Sequence, residues 1–174
     1  KTPLIRLQCY EGIDISQSSY EWNYGKQLIS IQSTDNKNID LFSEDFLIER
    51  PLLKALRQRH SERAVLLIDE LDRADEAFEA YLLEFLSDWQ ITIPEIGSIK
   101  TEEPPIVVIT SNRTREVHDA LKRRCYYSWV DYPDKDTELE ILKHRVPQTG
   151  PTLQTELVNF VQRLREEELY KSPG

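Results

Sequence analysis

The sequence predicts an α/β fold: a parallel sheet flanked by helices, followed by a small helical unit. Two observations lead there. Residues 64–68 and 106–109 are the longest apolar runs, each of strand length, and they end abruptly on Asp69-Glu70 and on Thr110-Ser111-Asn112. Continuous apolar runs of that length are how strands buried on both faces of a parallel sheet read. Around them lie segments with helical periodicity, so strand and helix alternate, which argues for helices on both faces of one sheet.

Taken in order, residues 4–9 read as a strand and Glu11-Gly12 as a turn. Tyr20, Tyr24, Leu28 and Ile31 recur at helical spacing, predicting a helix over 16–33 capped by Asp14 or Ser16. Residues 34–38 form a polar loop, and 43–59 a second helical stretch that Pro51 splits, because proline suits a first helical turn and not an interior. After the strand at 64–68, Phe78, Tyr81, Leu82, Phe85, Leu86 and Trp89 make a buried stripe. Asp75 and Glu76 suit the start of that helix. Residues 90–100 alternate around Pro94 and Gly97, as a hairpin does. The strand at 106–110 leads to a short helix at 116–123 and a strand at 125–130. Helices at 137–146 and 154–169 follow, and Ser172-Pro173-Gly174 closes in loop chemistry. The expected division is an α/β core over 1–131 and a helical unit over 132–174.

Composition narrows the function classes. At 174 residues, with 39% apolar and 30% charged residues, the chain has the make-up of a soluble globular protein. No apolar run approaches the roughly 20 residues that span a bilayer, so no membrane partner is expected and the cytosol is the expected compartment. The net charge of −9 repels phosphate backbones, making nucleic acid a poor partner. Lys122-Arg123-Arg124 stands out against that average. Cys9 and Cys125 are expected as a reduced, buried pair, and His60, His118 and His144 have no zinc spacing. Methionine is absent and residue 1 is lysine, which suggests a piece cut from something longer.

The chemistry sits at the two strand ends. In open α/β sheets, ligands bind at the carboxyl edge. Adjacent carboxylates there can divide labour, Asp69 holding a hydrated magnesium ion while Glu70 polarises a water. Asn112 can hydrogen-bond that water or a phosphate, and an arginine can stabilise the developing charge. Each feature alone has an ordinary explanation: a strand end facing water, a turn asparagine, a cationic helix C-terminus. A metal-dependent nuclease or phosphatase built on Asp69 and Glu70 would need further ligands, where the next strand offers Ser111 and Asn112.

The order of these features carries a resemblance. Leu66-Leu67-Ile68-Asp69-Glu70-Leu71-Asp72-Arg73-Ala74 resembles a Walker B segment of the MoxR branch of AAA+ ATPases. The helix over 77–89, Ile91-Thr92-Ile93-Pro94 and Val108-Ile109-Thr110-Ser111-Asn112 also resemble that branch, and Ala120-Leu121-Lys122-Arg123-Arg124-Cys125 resembles its arginine-finger region. Residues 5–12 and 20–24 are similar to the ATPases of carbon monoxide dehydrogenase maturation and of von Willebrand A-domain partners. The resemblance implies an AAA+ core with part of a helical lid, binding ATP and Mg2+. Asp69 would support the metal through water in its coordination shell, Glu70 would activate water, and Asn112 would be the sensor. Arg123 or Arg124 would reach a neighbouring subunit's nucleotide in a homo-oligomeric, hexameric ring. Asp72 would either assist the site or start a helix. The implied partner is a von Willebrand A-domain protein or a metalloenzyme undergoing maturation. No G-x-x-x-x-G-K-[ST] occurs in the chain and its five glycines never cluster, so the amides that cradle phosphates are expected upstream. The alternative is a nucleotide-independent AAA+-like scaffold.

Overall fold

The computed structural model describes residues 2–33, 39–58 and 63–167. The loop expected at 34–38, His60, and the tail at Ser172-Pro173-Gly174 lie outside the described residues. The chain divides into two compact units, Lys1–Tyr126 and Tyr127–Gly174.

The first unit is built on a parallel sheet of order β1-β4-β7, formed by β1 (Leu4–Gln8), β4 (Val65–Asp69) and β7 (Ile106–Ile109). Register sets Ile5 beside Leu66 and Val107, and Leu7 beside Ile68 and Ile109. Side chains alternate across a strand, so these six share one face, which packs into the core. The other face carries Leu4, Val65 and Ile106, then Arg6, Leu67 and Val108. Ile106 is 52% exposed and Val108 45%. The expected α/β class is therefore what the chain adopts, but the apolar runs at 64–68 and 106–109 are buried on one face only.

The segment expected as one helix over 16–33 is three elements. Asp14 caps a short helix, α1 (Ile15–Ser18), accepting the Gln17 N–H. β2 (Tyr20–Trp22) then pairs antiparallel with β3 (Leu47–Glu49). Asn23 starts α2 (Tyr24–Ser33) by accepting the Lys26 N–H at 2.9 Å. The strand forms because Trp22 buries its ring in the core, whereas Tyr24, Leu28 and Ile31 stay more than half exposed. The 43–59 stretch is likewise a single 3-10 turn (Glu44–Phe46), then β3, then α3 (Pro51–Arg57) with proline at its first turn.

α4 (Glu76–Asp88) packs into the core through Phe78, Leu82 and Phe85. Its N-cap Asp75 accepts the Phe78 N–H at 2.8 Å. Trp89 ends it in left-handed backbone (φ 50°) and leads at once into the hairpin β5 (Gln90–Ile93) and β6 (Gly97–Lys100). Gly97 turns that hairpin at φ 105°, a conformation that side chains resist. α5 (Asp119–Lys122) is shorter than expected: its N-cap is His118, whose N–H is bonded to the Glu79 carboxylate.

The strand expected at 125–130 does not form: no described segment pairs with it, and Tyr126, Tyr127 and Val130 are exposed. Cys125 is exposed too, so the expected buried pair reduces to Cys9 alone. The second unit contains α6 (Lys135–Arg145) and α7 (Pro151–Glu166), which pack on each other. A shielded Arg165–Glu138 pair at 2.7 Å joins them. No described helix is long and apolar enough to cross a membrane.

Candidate functional site at the carboxyl edge of the sheet

Asp69 is the last residue of β4, and Glu70 follows in left-handed backbone (φ 54°, ψ 48°). For a side chain larger than glycine's this conformation is strained, and it persists only where neighbours enforce it. The neighbour here is Thr110, the residue that follows β7. The Thr110 hydroxyl accepts the Glu70 N–H at 3.0 Å and donates to Asp69 Oδ1. The Thr110 carbonyl accepts the Leu71 N–H at 2.9 Å. One threonine thus fixes both carboxyl-bearing residues at the turn out of β4.

Asp69 Oδ2 receives the Arg6 guanidinium from β1, with Nε at 3.0 Å. The Thr110 hydroxyl first, then Arg6, hold this carboxyl below the ordinary carboxylate value. Glu70 pairs on its surface side with Arg73 at 3.3 Å. Asp72 lies in a 3-10 turn (Leu71–Arg73) and is 3% exposed. It accepts the Asn112 N–H at 3.0 Å and, from Thr114, the N–H at 2.8 Å and the hydroxyl at 2.5 Å. Burial would raise its carboxyl, but these donors outweigh burial and hold it low. Asp72 therefore ties loops together and does not start a helix.

Asn112 is exposed, and its backbone is fixed three residues beyond β7. Arg123 and Arg124 close α5, both exposed, while Lys122 pairs with Asp119 at 3.4 Å. The structure thus brings Asp69 and Glu70 together with Thr110, and ties Asn112 to them through Asp72. Among the described residues, neither Arg123 nor Arg124 is bonded to Asp69, Glu70 or Asn112. Sequence reasoning missed Arg6, Thr114, Glu79 and Arg115. Glu79 did leave a signal: it shares the helical face of Phe78 and Leu82, where a carboxylate must be satisfied.

Among the described residues no three His, Cys, Asp or Glu side chains converge as a metal cage. Magnesium needs none, since it keeps several waters and takes one or two carboxylates plus substrate phosphates. Asp69, a hard oxygen donor held ionised, fits that mode. A cavity of about 500 Å3 is lined by Arg6, Gln8, Tyr10, Gln17, Glu21 and Arg50, and Glu70 is not among its lining residues.

Comparison with known proteins gives a limited result. No family model matches the chain, and no curated protein matches it. Among solved structures, the chain is similar to a protein from Cytophaga hutchinsonii provisionally described as an ATPase, with a TM-score of 0.53 at 17% identity. The match covers 93% of this chain and 46% of that one, so this chain spans a little under half of that structure's length. A likeness at this identity shows a shared α/β fold and leaves the chemistry to the residues.

Proposed function

We propose that this chain belongs to an ATP-hydrolysing AAA+ protein of the MoxR type, a cytosolic remodelling ATPase, and supplies the edge of the site that acts on the γ-phosphate. The observation that carries this is the joint fixing of Asp69 and Glu70 by Thr110, with Glu70 held in strained backbone at the end of a parallel strand. Strain of that kind clusters at functional sites. The provisional ATPase description of the Cytophaga hutchinsonii protein points the same way.

In this reading the Glu70 carboxylate takes a proton from water as the water oxygen bonds to the γ-phosphorus and the bond to the bridging oxygen breaks. Asn112 orients that water or a γ-phosphate oxygen. Asp69 would hold the magnesium ion through water, and Thr110, donating to Asp69 Oδ1, fixes that carboxylate at the end of β4. The bound ion would supply charge neutralisation on the phosphates. Arg123 or Arg124 supplies positive charge to a neighbouring subunit's nucleotide in a hexameric homo-oligomer. A von Willebrand A-domain protein or a maturing metalloenzyme is the proposed partner.

One observation favours a second reading, a scaffold that binds no nucleotide: Arg6 and Thr110 engage both oxygens of Asp69. ATP turnover by the full-length protein containing these residues separates the two, measured beside its Glu70→Gln variant. Turnover lost in the variant with ATP binding retained is the expected result. Equal turnover would sink the role given to Glu70, and no turnover or ATP binding by either protein selects the scaffold.

A further inference from the structure

Residues 110–118 run from the end of β7 to the start of α5 without regular structure of their own. Two buried carboxylates hold them. Asp72 takes Asn112 and Thr114 at the beginning, through the three bonds given above. Glu79, 1% exposed, takes the end: Oε1 receives the Arg115 guanidinium and Oε2 the His118 N–H at 2.8 Å. Arg115 also donates to the Ala74 carbonyl at 2.7 Å, which joins Glu79 to the end of the turn that carries Asp72.

Burying an ionised carboxylate is costly unless every oxygen is satisfied. Tying down a surface segment does not need two of them. Their placement is informative. Asp72 lies two residues from Glu70 in the same turn, so its bond to the Asn112 N–H sets how far Asn112 stands from Glu70. His118 is the N-cap of α5 and Arg123 its C-cap. Glu79 therefore sets where α5 begins, and with it where Arg123 and Arg124 stand.

We infer that Asp72 and Glu79 are positioning residues for hydrolysis, holding Glu70, Asn112 and the Arg123-Arg124 pair as one rigid set. This rests on the ATPase reading. A carboxylate that merely tied a loop would lower stability and leave the folded protein's turnover intact. A positioning carboxylate lowers kcat and leaves KM in place, because a small displacement of a catalytic group can cost about 10²-fold in rate.

The test is ATP turnover by the full-length protein and its Asp72→Asn, Glu79→Gln and Thr114→Val variants, each with KM and a thermal unfolding curve. Asp72→Asn and Glu79→Gln should each lose about 10²-fold in kcat with KM changed by less than about threefold. Thr114 is exposed, so Thr114→Val removes one bond to Asp72 without opening a cavity, and it should lose about tenfold. That variant decides the Asp72 half if Asp72→Asn fails to fold, and Arg115→Lys, which alters the partner of Glu79 and should likewise lose about tenfold, decides the other half if Glu79→Gln does. Variants as fast as the unsubstituted protein, or slowed only through KM, overturn the inference and leave the ATPase reading standing. An unsubstituted protein without turnover overturns both.

Discussion

At Glu70 the chain places a carboxylate where backbone geometry favours glycine, and the cost can be measured. At φ 54° and ψ 48° an L-residue is disfavoured by about 1–2 kcal/mol, because its Cβ crowds the following carbonyl. Glu70→Gly removes that cost and Glu70→Ala keeps it. Both delete the same carboxylate and the same exposed pair to Arg73, so those terms cancel in the comparison. The opposing term is glycine's freedom in the unfolded chain, about 0.5–1 kcal/mol. Glu70→Gly should therefore be more stable than Glu70→Ala by about 0.5–1 kcal/mol, the reverse of the order at an ordinary strand position. Urea unfolding of the two variants side by side, followed by far-UV circular dichroism, reads the difference from the midpoints. An alanine variant as stable as the glycine variant, or more so, would refute the claim that strain is held at this residue.

Two further outcomes follow from the buried groups. Asp72 has a lowered folded pKa, so its contribution to stability is present above the ordinary value of 3.8 and is lost as pH falls through the folded value. Urea midpoints taken from neutral pH downwards should fall more steeply below about pH 4 for the natural chain than for Asp72→Asn, and parallel curves would count against the clamp. The Cys9 thiol is pushed up to about 12 by burial, then by Asp69, Asp72, Glu70 and Glu79, while Cys125 is exposed. A maleimide at neutral pH should label Cys125 in the folded chain and Cys9 only on unfolding; equal rates would contradict the burial of Cys9.

The parts of the fold that are legible in sequence are those with local causes. The stripe from Phe78 to Trp89 and the cap at Asp75 specify α4 by themselves, and the apolar runs before Asp69 and Thr110 specify two strands. Residues 20–31 mislead because tyrosines, Leu28 and Ile31 happen to stand at helical spacing. The burial of Trp22 and pairing with Leu47 decide their structure, and that partner lies 25 positions away. The site divides the same way. Asp69 and Glu70 announce themselves as charges at the end of an apolar run. The hold on Asp72 depends on donors 40 and 42 positions later, and the Arg6–Asp69 pair spans 63. Such contacts exist only once the sheet has brought its strands into register, so no window of neighbouring residues contains them.

The junction at Trp89 has a mechanical meaning. α4 ends at Asp88 and the hairpin begins at Gln90, and the Thr101 N–H closes back onto the Trp89 carbonyl at 3.1 Å. Helix and hairpin therefore meet through one residue, whose ring is packed edge-on against Phe85 at 5.8 Å. With no slack between them they form a bent lever. A load on the tip near Glu95 would pass to α4 through Trp89, and α4 carries Glu79, the anchor of the segment that leads to Arg123 and Arg124.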